Sequence, residues 1–504
     1  MASPPPPSPP PPSPSLCPPG VTNLLSEEEC LGVISRYGSC DRNGARARCD
    51  ATCNHHCIFT EPTPPPPPPP GAKNVLYLII DDLRNEGGVY LQHHVQTPHL
   101  DALAAGGVTF TRAYTQSSLC GVPGRACRVL APALHSAHSR SHSHACLVSL
   151  ECSAPSRSSF LTGRGPEDSQ LWDTFWSSFR THGKLGTPSV PTRGANWTTL
   201  PGHFKRHGWR VYGVGKTIDD INQDWPRSWS RERPHTPYSY QRCPGANRGS
   251  QTWCALDPTR FDASEHIDDI IATDLIDAIT TADERGRLES PPRPFMIMGG
   301  FVRPHGPWMI PQSAWTSHNY SNVPLPAHPA RADGPTSAPF HGWSNTSIEI
   351  PPMRRQALAD GSVVTVPGSM DATNAEHTQF TITAHAAGVL PSAATRLARH
   401  AYWAAVTYVD AQVGRVLTHL SQRGLTATTL VVAHSDHGYH LGEYGSWRKG
   451  TLYELAARVP LIMRVPWKPN SANTRSSEII ELLDLYQTYA PLPSAPLPSA
   501  PLRF

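Results

Sequence analysis

Residues Asn74–Ile80, N-V-L-Y-L-I-I, form a continuous apolar run that ends in two adjacent carboxylates, Asp81 and Asp82. An unbroken apolar run of this length is typical of a strand that is buried on both faces of a parallel sheet. Two adjacent carboxylates are costly to bury at the end of such a strand unless a cation pairs with them. We therefore predict a central strand followed by a metal site, and the hard oxygen ligands favour Ca²⁺ or Mg²⁺.

Three further apolar runs are also followed by candidate site residues. These are Trp209–Val214 before Lys216, Phe295–Gly300 before His305, and Thr429–Ala433 before Asp436 and His437. Because sites in open α/β sheets lie at the carboxyl ends of the strands, the four runs predict one shared site.

The same runs predict the fold class. Strands alternate with helical segments, of which Ala394–Arg423 has the clearest apolar stripe, and Val459–Val465 is a further predicted strand. Thr97 precedes Pro98 as the predicted N-cap of another helix. This pattern predicts an α/β fold with a mostly parallel central sheet and helices on both faces.

A second motif lies between the first two strands that lead to the site. Residues 153–164 read S-A-P-S-R-S-S-F-L-T-G-R, which resembles the [C/S]-x-P-S-R…T-G-R box of the sulfatase family in the alkaline phosphatase superfamily. D-D-L at 81–83 and S-D-H-G at 435–438 resemble the metal boxes of that family. R-P-H-G-P at 303–307 and W-R-K at 447–449 are most similar to iduronate-2-sulfatase-like members, and Glu478–Tyr489 resembles a family helix.

The resemblance implies a nucleophile that is made after translation. In sulfatases a formylglycine-generating enzyme oxidises a Cys or Ser of the box to formylglycine. One hydroxyl of its hydrate attacks sulfur, and the other lets the sulfated intermediate collapse. As the chain is written, Ser153 holds this position. Residues 121–153 have the composition of an insertion or a retained intron, and joining Cys120 to Ala154 would give C-A-P-S-R instead, so the nucleophile is Cys120 or Ser153.

The resemblance also implies roles for the other site residues. One Ca²⁺ would be held by Asp81, Asp82, Asp436 and His437, with the formylglycine as a further ligand. Charge on the transferring sulfuryl group would be stabilised by Arg157, Lys216 and Lys449. His305 would either bind a sulfate oxygen and help to stabilise this charge, or protonate the leaving group. Asp219 stands where related enzymes carry a His. The expected substrate is a sulfated carbohydrate or an aryl sulfate.

Composition divides the chain into segments. A Pro-rich tract (1–20), a Cys-rich module (21–63) and a Pro-rich linker (64–72) precede the sulfatase-like domain (73–490), and a Pro-rich tail (491–504) follows it. The C-terminal subdomain usual in sulfatases is expected to be missing. The net charge of +3 argues against a nucleic-acid partner, and no apolar run is long enough for a membrane span.

Other marks predict a secreted, extracellular or lysosome-like location, although no signal peptide is recognisable. Sequons occur at Asn196, Asn319 and Asn345, and the clustered cysteines are typical of disulfides in small extracellular modules.

Two alternatives to a sulfatase remain open at this stage. One is a phosphatase or phosphodiesterase of the same superfamily, which would use an unmodified Ser or Thr and two Zn²⁺. The other is a non-catalytic wall or extracellular glycoprotein that carries a disrupted sulfatase domain between its Pro-rich arms.

Overall fold

The computed structural model describes the chain between residues 66 and 489, with gaps. The described residues are 66–92, 94–117, 154–169, 179–182, 190–191, 193–218, 224, 227–230, 251–256, 266–329, 345–350, 353–357, 363–367, 378–383, 392–445, 447–449 and 451–489. The predictions for the Pro-rich tract at 1–20, the Cys-rich module, the insertion at 121–153 and the tail lie outside these residues.

Strands and helices alternate along the described residues. The strands are β1 (Asn74–Ile80), β2 (Val108–Tyr114), β3 (Thr181–His182), β4 (Val190–Pro191), β5 (Arg210–Gly215), β6 (Gln251–Leu256), β7 (Phe295–Phe301), β8 (Trp308–Pro311), β9 (Asn345–Ile350), β10 (Met353–Ala357), β11 (Val363–Pro367), β12 (Thr378–Thr383), β13 (Thr429–His434), β14 (His440–Leu441), β15 (Trp447–Arg448), β16 (Arg458–Arg464) and β17 (Thr474–Glu481). The α-helices are α1 (Pro98–Ala105), α2 (Ala154–Thr162), α3 (Pro166–Ser169), α4 (Leu200–Arg206), α5 (Ile267–Arg287), α6 (Gln312–Thr316), α7 (Ser392–Gln422), α8 (Glu454–Ala457) and α9 (Asp484–Tyr489).

A seven-stranded sheet forms the centre, in the order β17-β2-β16-β13-β1-β7-β5. The four strands β13, β1, β7 and β5 are neighbours and run parallel to one another. The strand β16 pairs antiparallel with both β13 and β2, whereas β17 is parallel to β2. The sheet is therefore mixed but mostly parallel, as predicted, and the carboxyl ends of its four parallel neighbours open onto one edge.

Two apolar cores cover the two faces of this sheet. Alternate residues of β1 belong to different cores, since Leu76, Leu78 and Ile80 pack in one and Val75, Tyr77 and Ile79 in the other. The first core includes residues of α1, α5 and α7, and the second includes residues of α2, α4 and α9. The prediction of helices on both faces is confirmed. Among the helices of the described residues, none is long and apolar enough to cross a membrane.

Two local predictions needed correction. Thr97 occupies the predicted N-cap position of α1, but its side chain forms no capping hydrogen bond, and its Oγ1 instead accepts the Gly88 backbone N–H at 3.3 Å. The cap comes from the neighbouring helix α7, whose Asp410 carboxylate accepts the backbone N–H groups of His99 and Leu100 at 3.0 and 2.9 Å.

The second error concerns Glu478–Tyr489, which is not one helix. Its first four residues belong to the edge strand β17, where Ile480 pairs with Ala113 of β2, and the helix α9 begins only at Asp484. Edge pairing with β2 provides backbone hydrogen bonds that a helix would otherwise supply, so the strand prevails there.

Candidate active site

The turn after β1 carries the first two predicted metal ligands, and both are buried. Asp82 has φ 65°, a left-handed conformation that non-glycine residues seldom adopt. The carboxylate of Asp81 forms an ion pair with Lys216. Oδ1 of Asp82 lies 2.7 Å from Nζ of Lys449. Each carboxylate of this turn is thus paired with a lysine that the sequence assigns to the same site.

The turn after β13 carries the other two predicted ligands. Oδ1 of Asp436 accepts the backbone N–H of Asp82 at 3.3 Å and that of His437 at 3.0 Å. Its Oδ2 accepts a hydrogen bond from Nε of Arg157 at 3.0 Å. Nδ1 of His437 lies 3.2 Å from Oδ1 of Asp82. The turns after β1 and β13 therefore bring all four predicted metal ligands together.

Helix α2 contributes Arg157, whose buried guanidinium is bound by residues of the neighbouring turns. The guanidinium donates to the backbone carbonyls of Lys216 and Thr217, in addition to its bonds with Asp436. The preceding Ser156 donates its hydroxyl hydrogen to the backbone carbonyl of Asp436 at 2.6 Å. The P-S-R part of the box therefore connects α2 to the ends of β13 and β5.

Lys216 follows β5 and is fully buried. Its backbone N–H donates to the carbonyl of Gly300 at 2.7 Å, so the ends of β5 and β7 lie very close together. A Cβ atom at Gly300 would overlap the carbonyl of Lys216, and Gly215 has φ 71°. Glycine is required here because a side chain would separate the two strand ends.

His305 lies in the turn after β7, which polar contacts hold in place. The carboxylate of Asp268, at the start of α5, accepts the backbone N–H of Val302 at 2.6 Å, and Arg303 donates to the carbonyl of His305 at 3.0 Å. Nδ1 of His305 lies 2.6 Å from the carbonyl oxygen of Gly306. Because a carbonyl only accepts, Nδ1 carries the proton, and Nε2 of the neutral imidazole is an acceptor.

Burial and charge act in opposite directions on the two adjacent carboxylates. Burial raises the pKa of Asp81, but Lys216, His305 and Lys449 together outweigh it and hold the pKa well below its ordinary value. At Asp82 burial outweighs the attraction of Lys449 and raises the pKa to about 7. The two neighbours therefore have unlike affinities for protons.

Burial keeps the two site histidines neutral. It lowers the pKa of His437 to about 4 and that of His305 well below its ordinary range. Neutral imidazole is the form that binds metal ions. Proton donation from Nε2 of His305, one of its two predicted roles, requires the imidazolium, which burial opposes.

These residues fit a divalent metal. One ligand atom each from Asp81, Asp436 and His437 lie within 4.8 Å of one another, and so do those of Asp81, Asp82 and His305. Asp81 belongs to both groups, and its buried Oδ1 accepts no hydrogen bond in the described part of the chain. A bound cation would satisfy this oxygen, which is otherwise costly to bury. Three carboxylates suit Ca²⁺, although His437 would be an unusual ligand for it.

The structure brings together eight of the predicted site residues. They are Asp81, Asp82, Arg157, Lys216, His305, Asp436, His437 and Lys449. The alternative nucleophiles Cys120 and Ser153 lie outside the described residues, and so does Asp219.

Sequence reasoning missed three buried residues that hold the site turns. No sequence pattern marked Asp268 as the residue that binds the backbone after β7. Tyr402 was interpreted only as part of the apolar stripe of α7. Ser435 stood inside the S-D-H-G motif, which was the one available signal for its position.

Comparison with known proteins agrees with this geometry. The sulfatase family model matches residues 73–150 and 147–492. Iduronate 2-sulfatase of Homo sapiens is 27% identical over 437 residues, which are 84% of this chain and 64% of the human protein. The chain thus spans slightly less than two thirds of the length of that relative.

Two solved structures share the fold. A protein in complex with its substrate D-glucosamine-2-N,6-O-disulfate has a TM-score of 0.55 at 18% identity, covering 85% of this chain and 78% of that chain. A phosphonate monoester hydrolase of Agrobacterium radiobacter has a TM-score of 0.52 at 18% identity, covering 82% and 72%. At these identities the likeness establishes the α/β fold. Because the family model matches most of the chain and the residues of its motifs converge at one edge of the sheet, the chain belongs to the sulfatase family.

Proposed function

We propose that the protein hydrolyses a sulfate monoester. The observation that carries this proposal is the cluster at the ends of β13, β1, β7 and β5. There Asp81, Asp82 and Asp436 are buried together with Arg157, Lys216 and Lys449. Cations fixed in a buried site stabilise the charge that develops on a transferring sulfuryl group far better than cations in water.

The carboxylates and His437 would hold one Ca²⁺. When bound, the ion would act as a Lewis acid that polarises the sulfate oxygens. The residues of the chain have separate duties around it. Arg157 orients Asp436 through its Nε, and Lys449 orients Asp82 through its Nζ. The same two cations would contact the anionic substrate.

The proposed nucleophile is a formylglycine made from Cys120 or Ser153. The position of the box supports this proposal, because α2 begins at Ala154 and the side chains of Ser156 and Arg157 both contact Asp436. The first turn of α2, which holds the P-S-R residues of the box, therefore lies against the candidate active site.

A sulfated carbohydrate is the proposed natural substrate class. Human iduronate 2-sulfatase is named for a sulfated sugar, and one solved relative is described with D-glucosamine-2-N,6-O-disulfate as its substrate.

We also propose passage through the secretory pathway. Asn196 and Asn319 are exposed, so glycans can reach both sequons, and peptide mass spectrometry of the native protein would detect them. Unmodified asparagines at both positions would contradict this location.

The test compares hydrolysis of an aryl sulfate with that of the matching aryl phosphate and phosphonate monoester. The purified, formylglycine-bearing protein should prefer the sulfate. Asp81→Ala and the more conservative Asp81→Asn should both lower turnover by at least about 100-fold, because the transition-state charge loses its metal-dependent stabilisation. Asp277, an exposed residue of α5, provides the control, and Asp277→Ala should keep full activity.

Folding of each variant would be checked by circular dichroism. Folded Asp81→Asn with normal turnover would refute the metal assignment. A preference for the phosphate or phosphonate ester would instead favour the rival hydrolases of the same superfamily.

A further inference from the structure

A tyrosine of the long helix α7 is bonded to the backbone of the proposed metal turn. Tyr402 is fully buried. Its hydroxyl donates to the carbonyl oxygen of Asp82 at 2.7 Å and accepts the backbone N–H of Arg84 at 3.0 Å. One phenol group therefore satisfies both ends of the turn in which Asp82 has φ 65°. A left-handed conformation at a non-glycine residue persists only where its surroundings fix it.

The ring of Tyr402 is itself held by two other aromatic residues. It lies edge-on to Trp308 with centroids 6.2 Å apart and stacks on Tyr439 at 5.5 Å. Nε1 of Trp308 donates to the carbonyl of Pro304 at 2.6 Å, next to His305. The hydroxyl of Tyr402 is thus placed by a packed cluster that also supports the turn after β7.

A second hydroxyl holds the same turn from the side of β13. Oγ of Ser435 accepts the backbone N–H of Leu83 at 2.9 Å and lies 2.7 Å from the carbonyl oxygen of Ile80. It also lies 2.8 Å from the carbonyl oxygen of His437. Ser435 therefore joins the turn that carries Asp81 and Asp82 to the turn that carries Asp436 and His437.

We propose that Tyr402 and Ser435 are positioning residues that set the affinity of this site for its divalent metal. They bind no metal themselves and act through the backbone of Asp82 and of the flanking turn residues. The inference rests on the proposed function, since it takes the same carboxylates as the metal ligands. Without either hydroxyl, buried backbone groups lose their partners, and the turn is free to rotate the carboxylates away from a common centre.

The test measures Ca²⁺ binding by calorimetry on the full chain after removal of metal with a chelator. Tyr402→Phe and Ser435→Ala should each weaken the affinity by about 10–100-fold, the usual effect of losing an outer hydrogen bond to a metal ligand. Excess Ca²⁺ should restore kcat, because the ligands themselves remain.

The matched control is Tyr408→Phe. Tyr408 lies on the same helix and is also buried, with 6% of its surface exposed against 0% for Tyr402, but its hydroxyl forms no hydrogen bond with any described residue. Its Ca²⁺ affinity should stay within twofold of the wild type. The midpoint of thermal unfolding, measured in chelator, reports any merely structural effect of each variant.

Three results would overturn the proposal. If the wild type binds Ca²⁺ and both variants bind it equally well, the metal site stands and the positioning role is wrong. If the variants lose only thermal stability in chelator, their role is structural. If the wild type binds no Ca²⁺, the metal assignment fails together with this inference. Should Tyr402→Phe not fold, Ser435→Ala decides the question alone.

Discussion

At the scale of single residues, the site is an arrangement of buried opposite charges. Asp81 pairs with Lys216, Asp82 with Lys449, and Asp436 with Arg157. Such burial is tolerated only when each charge has a partner, and removing one partner costs about 3–5 kcal/mol. The sequence predicted these residues from motifs, but it could not predict which cation faces which carboxylate, because that depends on the spacing between strand ends.

That spacing is tested by Gly300→Ala. A methyl group here would overlap the carbonyl of Lys216, so the end of β5 must move and carry the lysine away from Asp81. A displacement of about 1 Å in a catalytic group can cost about 100-fold in rate, and we expect kcat/KM on an aryl sulfate to fall by about that factor.

Gly424→Ala is the matched control for this substitution. Gly424 has φ 72°, and no atom of the described residues lies within 4 Å of the place that a Cβ would take, so alanine there costs about 1–2 kcal/mol of backbone strain without touching the site. Its kcat/KM should stay at the wild-type value. Equal loss of activity in both variants, measured where both are folded, would show that Gly300 matters only for stability.

At the scale of elements, long apolar runs were predictable and their partners were not. The predicted run 74–80 is β1 residue for residue, and the predicted helix 394–423 corresponds to α7 at 392–422. Elements of this kind are predictable because the apolar residues that they bury form a pattern within the element itself. The cap of α1 comes from Asp410, more than 300 residues away, and β17 forms only because β2 offers it an edge. No local pattern carries information of that kind.

Elements near the site are also joined by a buried charge network, which makes stability depend on pH. Glu443, in the segment after β14, lies 2.9 Å from Arg84 and 3.0 Å from Arg399 of α7. Burial raises the pKa of Glu443, but the two guanidinium groups outweigh it and lower the pKa to about 2. Because the folded pKa is below the unfolded one, this stabilisation is present above about pH 4.5 and is lost as the pH falls toward 2.

The full loss, reached below about pH 2, is on the order of 3 kcal/mol, and about 2 kcal/mol of it falls between pH 5 and pH 3. It would appear in urea unfolding at pH 5 and pH 3 as a smaller acid-induced loss of unfolding free energy in Glu443→Gln than in the wild type. The exposed Glu478 of β17 supplies the control, and Glu478→Gln should follow the wild type. Parallel acid profiles for wild type and Glu443→Gln would contradict the role of this network.

At the scale of the whole molecule, the site exists because four distant strands become parallel neighbours. β1 and β13 are paired from Asn74↔Thr429 onward, and β7 and β5 continue on the other side of β1. The sequence predicted that the four strand ends would meet, since sites lie at the carboxyl ends of strands in such sheets. It did not predict the strand order, because long-range pairing is decided by the packing of both faces at once.

The same global view bears on residues 121–153, the proposed insertion. The two flanks of this region touch, because Oγ1 of Thr115, just beyond β2, donates to Oγ of Ser156 in α2 at 2.7 Å. A variant lacking 121–153 joins Cys120 to Ala154, and four Cα steps of about 3.8 Å each then separate Ser117 from Ala154. That length suffices for flanks already in contact, so we expect the variant to fold with a thermal midpoint close to that of the full chain.

Co-expression with a formylglycine-generating enzyme should then convert Cys120, which mass spectrometry of the peptide across the new junction would detect. This variant should hydrolyse an aryl sulfate, and Cys120→Ala in the same background should abolish turnover without unfolding the protein. The opposite result is equally informative. If the shortened chain does not fold while the full chain is active with a modified Ser153, then residues 121–153 belong to the enzyme and Ser153 is its nucleophile. The contact between Thr115 and Ser156 favours the first result, because the end of β2 and a helix that already meet need no long connection between them.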